Sequence, residues 1–287
     1  MAKASKVSGF WAGVKEIAVL LLIVFLIRTF GFGLYQVPTG SMETTMLVGE
    51  RFFADKFTPL FSNAKHGDII SFNDPTFNYS PNTLVRLFQS YVWGPSNWTK
   101  RVIGVPGDEI KGVIENGKPV IYRNGKKLDE PYINKYPLIR VWNPKSSTLG
   151  DMFVRKSYVP TDPWDKQPFY NIEPSLICKK ADGQPDISVS RTPTPLRGNE
   201  QTWSGGYPDE FHVKLEKNQY WVMGDNRLAS HDSRYFGPLE EKLIHGKIIF
   251  RIFSVDSNGG FLLLDIVKNP IAFFKSIRWN RCLERVR

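Results

Sequence analysis

A serine hydroxyl attacks a carbonyl carbon only when a base takes its proton. The run Pro38-Thr39-Gly40-Ser41-Met42 sets a compact serine just beyond an apolar stretch, so the first question is which base reaches it. The candidate is Lys100, in Asn97-Trp98-Thr99-Lys100-Arg101-Val102-Ile103-Gly104. That run reads as a strand. Alternate side chains share a face, so Trp98, Lys100 and Val102 point one way and Arg101 the other. A lysine flanked by Trp and Val on a buried face is pushed toward the neutral amine, because burial disfavours the ammonium. Moving its pKa from ~10.4 to ~8 costs about 3 kcal/mol. Such a cost makes sense where a neutral amine is needed as a general base. A Lys-Arg pair taken alone is ordinarily a solvated surface pair; the other motifs decide the matter.

Competing chemistries are weaker. Ser62-x-x-Lys65 has the spacing of penicillin-binding enzymes but stands in a polar loop, with no Lys-Thr-Gly or Ser-Asp-Asn beside it. His231-Asp232 offers triad residue types, yet adjacent residues seldom aim at one another as His and Asp must. His66, His212 and His245 are scattered. The sequence shows neither a Gly-rich phosphate loop nor clustered metal ligands, so no metal and no organic cofactor is expected.

Three motifs occur in order. Ser41-Met42 follows the apolar stretch. Lys100-Arg101-Val102-Ile103-Gly104-Val105-Pro106-Gly107-Asp108 comes next. Gly224-Asp225-Asn226-Arg227 is then followed by Ser230-x-Asp232-Ser233-Arg234. In this combination the chain resembles the bacterial type I signal peptidases, the membrane-bound Ser-Lys endopeptidases, as far as about Phe250. The resemblance implies Ser41 as nucleophile and Lys100 as general base. It implies an oxyanion hole from the Thr39 hydroxyl, where many members carry serine, and the Ser41 backbone N–H. Such donors are worth roughly 3–4 kcal/mol each in the transition state. Ser230 matches the serine that orients the lysine; Arg101 with Asp225, and Asp232 with Arg234, match supporting ion pairs. Met42 and Trp98 are candidate walls of small substrate pockets. The implied substrates are signal peptides of exported preproteins, cut after small-x-small sites. The chain departs from the family in Thr44-Thr45, where Pro-Thr is frequent, and in Leu228-Ala229, where Asp-Asn is usual. It also shows one N-terminal span where many Gram-negative members have two.

The elements that must position these residues begin with Ile17–Ile27, which has no polar side chain. Apolar residues extend it to Phe10, and a helix over 10–27 would be about 27 Å long, close to the ~30 Å hydrocarbon layer. Lys15 and Arg28 can snorkel to opposite interfaces. Lys3, Lys6 and Lys15 precede the core, which orients the N-terminus to the cytoplasm and the body to the outer side of a bacterial inner membrane. A cleaved secretory signal ending near Gly31-Phe32-Gly33 and a buried core helix are the alternatives. The retained single-pass anchor is preferred because the flanks lengthen the core and Arg28 sits badly in a cleavage region.

Beyond Tyr35 the pattern is short strands and turns, among them Arg51–Phe57, Gly67–Phe72, Thr99–Val105, Tyr220–Met223 and Lys247–Arg251. Asn116-Gly117 and Asn124-Gly125 are hairpin signals. The expected fold is mainly β: an antiparallel signal-peptidase-like catalytic body with an inserted irregular β subdomain and one N-terminal transmembrane helix. The expected division is 1–35 for the anchor, 36–112 with 212–262 for the catalytic domain, 113–211 for the insert and 263–287 for a basic aromatic tail. The net charge is +10. Lys268, Lys275, Arg278, Arg281, Arg285 and Arg287, interleaved with Phe273, Phe274 and Trp279, suit an anionic headgroup layer. Membrane lipid is therefore an expected partner. Nucleic acid is not, since no DNA-reading helix is seen. Cys178 and Cys282 suggest neither a disulfide framework nor a zinc site. Two other functions fit parts of the pattern: a membrane-anchored β-domain that only binds partners, and a Ser-Lys self-cleaving regulator.

Overall fold

The computed structural model describes residues 2–144, 152–188, 209–256 and 266–286. Helix α1 (Ala2–Leu26) leads through a short π-helical turn into β1 (Phe32–Gln36). Lys15 and Glu16 interrupt the apolar stretch, leaving an unbroken core worth about 16 Å of helix. Among the described residues no helix is long and apolar enough to cross a membrane. The expectation of a transmembrane helix is corrected to that extent. The side chains of Ile17, Leu20, Leu21, Leu22 and Ile23 are nevertheless exposed rather than packed on the body.

The body follows as β2 (Arg51–Asp55), β3 (Ile69–Asn73), α2 (Thr83–Tyr91) and β4 (Asn97–Gly104), then β5 (Glu109–Glu115), β6 (Lys118–Arg123) and β7 (Lys126–Lys127). Next come β8 (Leu138–Trp142), β9 (Phe153–Ser157), β10 (Ile187–Ser188), β11 (Phe211–Lys214) and β12 (Gln219–Met223). The chain continues through α3 (Ser233–Phe236), β13 (Leu239–Glu240), β14 (Ile244–Phe253), α4 (Pro270–Lys275) and β15 (Glu284–Arg285). An eight-stranded sheet runs β1-β2-β14-β3-β4-β12-β13, with β15 on the side of β14. A second sheet runs β11-β5-β6-β7 and a third β10-β8-β9. All strand pairs are antiparallel.

The two Asn-Gly pairs close the hairpins β5-β6 and β6-β7. Asn116 and Gly117 stand at φ 50° and 73°, Asn124 and Gly125 at 52° and 76°. Both residues of each turn are left-handed, which is the geometry these residues tolerate.

Strand β4 is central to the main sheet, between β3 and β12. One of its faces joins Val102 to Ile70, Phe72, Tyr220, Val222 and Leu239. The other contributes Ile103 to a core with Ile110, Trp221 and Met223. A strand buried on both faces has little water for Lys100 or Arg101. Each of those side chains therefore requires a partner.

The C-terminal segment is no free basic tail. Strand β15 pairs with β14, and Phe273 and Ile277 pack with Val255. The Arg278 guanidinium donates to the Val48 and Val255 carbonyls at 3.3 and 3.2 Å, and Arg281 Nε to Glu50 Oε1 at 2.6 Å. Two of the arginines expected to meet lipid phosphate are thus committed within the fold. Cys178 and Cys282 are free thiols.

Candidate active site

Ser41 lies in a single 3-10 turn, Gly40–Met42, entered from extended Thr39. Asn226 holds this turn twice: its N–H donates to the Ser41 carbonyl at 3.1 Å, and its Nδ2 to the Gly40 carbonyl at 2.8 Å. Lys100 approaches from β4. Its Nζ donates to Ser41 Oγ at 3.1 Å and to the Thr99 carbonyl at 3.1 Å. The lysine is only 4% exposed. Burial pushes its ammonium down to about 8, while the carboxylates of Asp232 and Asp225 pull the other way. Thr39 Oγ1 donates to Ser41 Oγ at 3.4 Å. A hydroxyl within reach of a buried amine of lowered basicity is an arrangement suited to nucleophilic attack.

Two buried ion pairs fix the surroundings. Arg101 donates to Asp225 through Nε at 2.8 Å and Nη2 at 2.7 Å. Its remaining nitrogen, Nη1, bonds the Gly67 carbonyl at 2.9 Å. Arg234 Nε donates to Asp232 Oδ1 at 2.9 Å, and Asp232 Oδ2 accepts from the Gly224 N–H at 3.1 Å. The Arg234 charge and those hydrogen bonds outweigh burial and hold the Asp232 carboxyl down at about 2. The sequence motifs therefore converge in space, although they lie in separate parts of the chain.

The pattern of the family described as signal peptidase, peptidase S26, matches residues 11–253. The chain belongs to this family. It is accordingly a serine endopeptidase, and the expectation of a purely binding β-domain falls away. Signal peptidase I of Buchnera aphidicola subsp. Schizaphis graminum is 28% identical over 257 residues, covering 83% of this chain and 73% of its own. Signal peptidase IB of Staphylococcus aureus strain N315 is 27% identical over 238 residues, covering 83% and 86%. The crystal structure of a signal peptidase I from Enterococcus faecalis V583 aligns with 65% of this chain and 97% of its own at 18% identity, with a TM-score of 0.30.

The remaining residues singled out from the sequence of this peptidase stand as follows. Ser230 is buried, but its Oγ makes no hydrogen bond to Lys100, so the expected lysine-orienting contact is not formed. The Oγ is pressed toward Gly224, where a Cβ would lie 2.1 Å from it and 2.4 Å from the Ser41 carbonyl oxygen. Trp98 is half-buried, with its ring centroid 5.9 Å from Lys100 Nζ, and packs on His231 and Phe236. Met42 is 2% exposed and packs with Val37, Met46, Phe52 and Ile69. It props the Ser41 turn from beneath and presents almost no surface to a substrate. That corrects its expected place in a pocket wall. His231 packs against Tyr235 with its ring tilted; burial and the nearby Lys100 lower its pKa.

Three participants carried no assigned role in the sequence reading. Asn226 was visible only as part of its motif. Thr45 donates its hydroxyl to Asp225 Oδ2 at 2.6 Å, so a position that departs little from the family pattern ties the nucleophile loop to the Arg101 pair. Glu43, fully buried, accepts from the Ser157 N–H at 3.1 Å and from the hydroxyls of Ser157 and Tyr170. It links the Ser41 turn to β9, and burial raises its pKa. A Cβ on Gly40 would lie 2.7 Å from Glu43 Oε1, a physical reason for glycine beside the serine.

The crowding at Gly224 carries an expected result. Gly224→Ala should leave the sheets folded yet lower kcat by about 100-fold, because even a small displacement of a reacting group costs that much. The measurement is cleavage kinetics beside a circular dichroism melt. Full activity with unchanged melting would mean that the Ser41 turn tolerates the added methyl.

Proposed function

We propose that the chain removes signal peptides from exported preproteins at the outer face of a membrane, with Ser41 as nucleophile and Lys100 as general base. The observation that carries the reading is the 3.1 Å contact between Lys100 Nζ and Ser41 Oγ. The names of the relatives support the substrate class. The neutral amine takes the Ser41 proton as Oγ bonds to the scissile carbonyl carbon. Thr39 Oγ1, turning from Ser41 Oγ, and the Ser41 N–H then stabilise the oxyanion. Protonated Lys100 gives its proton to the leaving amine as the C–N bond breaks. Water, deprotonated by the same lysine, hydrolyses the acyl-enzyme. The two ion pairs act as positioning groups, and Trp98 shields the amine from water.

Helix α1 serves as the anchor in this reading. Its exposed apolar side chains support that role. Residues 10–27 would be inserted, with the Lys15 side chain snorkelling back to the cytoplasmic headgroup level.

The test uses full-length protein in detergent with a preprotein whose signal ends in a small-x-small site. Wild type should cut it once. Ser41→Ala and Lys100→Arg should cut at least 1,000-fold more slowly, in line with the upper range for losing a nucleophile or general base. An arginine cannot become neutral, so activity in that variant at neutral pH removes lysine from the base role. Resistance of the membrane-bound chain to alkaline extraction tests the anchor separately.

A further inference from the structure

Helix α2 and the groove behind it lie outside the site described above. Asn82 caps the helix, accepting from the Leu84 and Val85 N–H groups at 3.0 and 3.2 Å. Yet the helix buries none of its residues. Leu84, Leu87, Phe88 and Tyr91 recur at the spacing of one helical face, and all four are exposed. Trp93, just past the end, is 81% exposed. An apolar stripe left in water marks an interaction surface.

Arg86, on the same helix, lines a groove of about 890 Å³. Arg28, Lys56 and Lys242 also line it, and no carboxylate is among its described lining residues. Lys242 pairs with Glu240 outside the groove. Lys56 Nζ donates to the Arg28 carbonyl at 3.0 Å, which brings the amine to the end of α1. Phe30 meets Tyr91 with ring centroids 6.1 Å apart, so the groove joins the foot of α1 to α2. His245 lines it as well. Burial and the charge of Lys56 push that imidazole down to about 4, so it is neutral at pH 7.

We propose that this groove seats the headgroup phosphate of an anionic phospholipid, held by Arg28, Lys56 and Arg86, while the apolar face of α2 rests in the bilayer surface. The proposal rests on the reading of α1 as a membrane anchor, which puts the groove at headgroup level. Charge and apolarity together select the occupant. A free phosphate would meet the three cations but leave Leu84, Phe88 and Trp93 in water. The apolar core of a signal peptide would cover α2 but leave the cations without an anion. Burial and the neighbouring Arg28 lower the basicity of Lys56; a seated phosphate opposes both effects.

Full-length protein in dodecyl-maltoside micelles is offered equal amounts of phosphatidylglycerol and phosphatidylcholine, and retained lipid is read by native mass spectrometry. Retention should favour phosphatidylglycerol by about tenfold, from two or three cationic contacts. Lys56→Gln and Arg86→Gln should each reduce that preference several-fold while cleavage of a soluble peptide in detergent is unchanged. In nanodiscs with brominated acyl chains, the fluorescence lost on Trp93→Phe should be a quenched component. Equal retention of the two lipids, an unaltered preference in both variants, or an unquenched Trp93 overturns the proposal. So does displacement of the lipid by millimolar inorganic phosphate or by a signal peptide, which would name a different occupant. Release of the chain by alkali, with the phosphatidylglycerol preference intact, would refute only the anchor. Firm membrane retention without that preference would refute only the lipid site.

Discussion

Lys100→Met should yield a protein that no longer cuts its substrate yet melts at a higher temperature than the wild type at pH 7. The two effects share one cause. Lys100 is 4% exposed, and burial holds its pKa at about 8 rather than near 10.5. Below pH 8 the folded protein carries an ammonium in a place that disfavours it, at a cost of about 3 kcal/mol. Between about 8 and 10.5 the unfolded chain binds more protons than the folded one, so stability rises with pH across that window. Methionine has similar length and no charge. It removes the penalty, although Asp225 and Asp232 lose a favourable neighbour and part of the gain with it. Thermal melts at pH 7 and pH 10 should show the advantage of the variant shrinking as the pH rises. In the wild type, kcat/KM should climb to a plateau with an apparent pKa near 8, while the variant stays at least 1,000-fold lower throughout. A variant that melts below the wild type at pH 7 would contradict the burial argument. One that still cuts would remove Lys100 from the chemistry.

The strand carrying Lys100 was legible because its residue types conflict with their setting. A lysine and an arginine amid Trp98, Val102 and Ile103 need a reason to be there, and the reason lies in the partners. Those partners were legible only through the ordered motifs, since nothing local links Arg101 to Asp225 across 124 positions. The Asn-Gly hairpins were legible because their turns are local and nearly obligatory for those residues. Helix α2 carried a readable signal in the Asn82 cap and the spacing of 84, 87, 88 and 91. Its apolar face is exposed, so an argument that begins from a buried core does not reach it. The roles of Glu43 and Asn226 were not legible. Each depends on a contact made across the fold, Glu43 with Ser157 and Tyr170 and Asn226 with the Gly40 and Ser41 carbonyls. Part of the basic C-terminal segment serves the fold instead: Arg281 joins Arg251 of β14 around the buried carboxylate of Glu50. Composition cannot distinguish a cation that faces phosphate from one that faces a carboxylate.

Asp225→Asn tests whether the surrounding charges set the lysine as well as hold the fold. Asp225 is fully buried. It accepts two hydrogen bonds from Arg101 and one from Thr45. The amide keeps the shape but loses the charge, and leaves the Arg101 guanidinium buried without its counter-ion. Breaking a buried pair in this way costs about 3–5 kcal/mol, measurable by urea unfolding. A second effect follows at a distance. The Asp225 carboxylate favours the ammonium form of Lys100. Its removal, with an unmatched Arg101 added, disfavours that form further. The rising limb of the kcat/KM profile should therefore move to lower pH, by about one unit for each ~1.4 kcal/mol of lost attraction. The double variant Arg101→Met with Asp225→Asn separates the two effects. Neither charge is then left buried alone, so much of the stability should return. The limb should settle between those of the wild type and Asp225→Asn, because the lost carboxylate is not replaced but the stray guanidinium is gone. A limb that stays in place, or shifts to higher pH, would mean that Asp225 shapes the turn at Ser41 through Thr45 alone and contributes nothing to the basicity of Lys100.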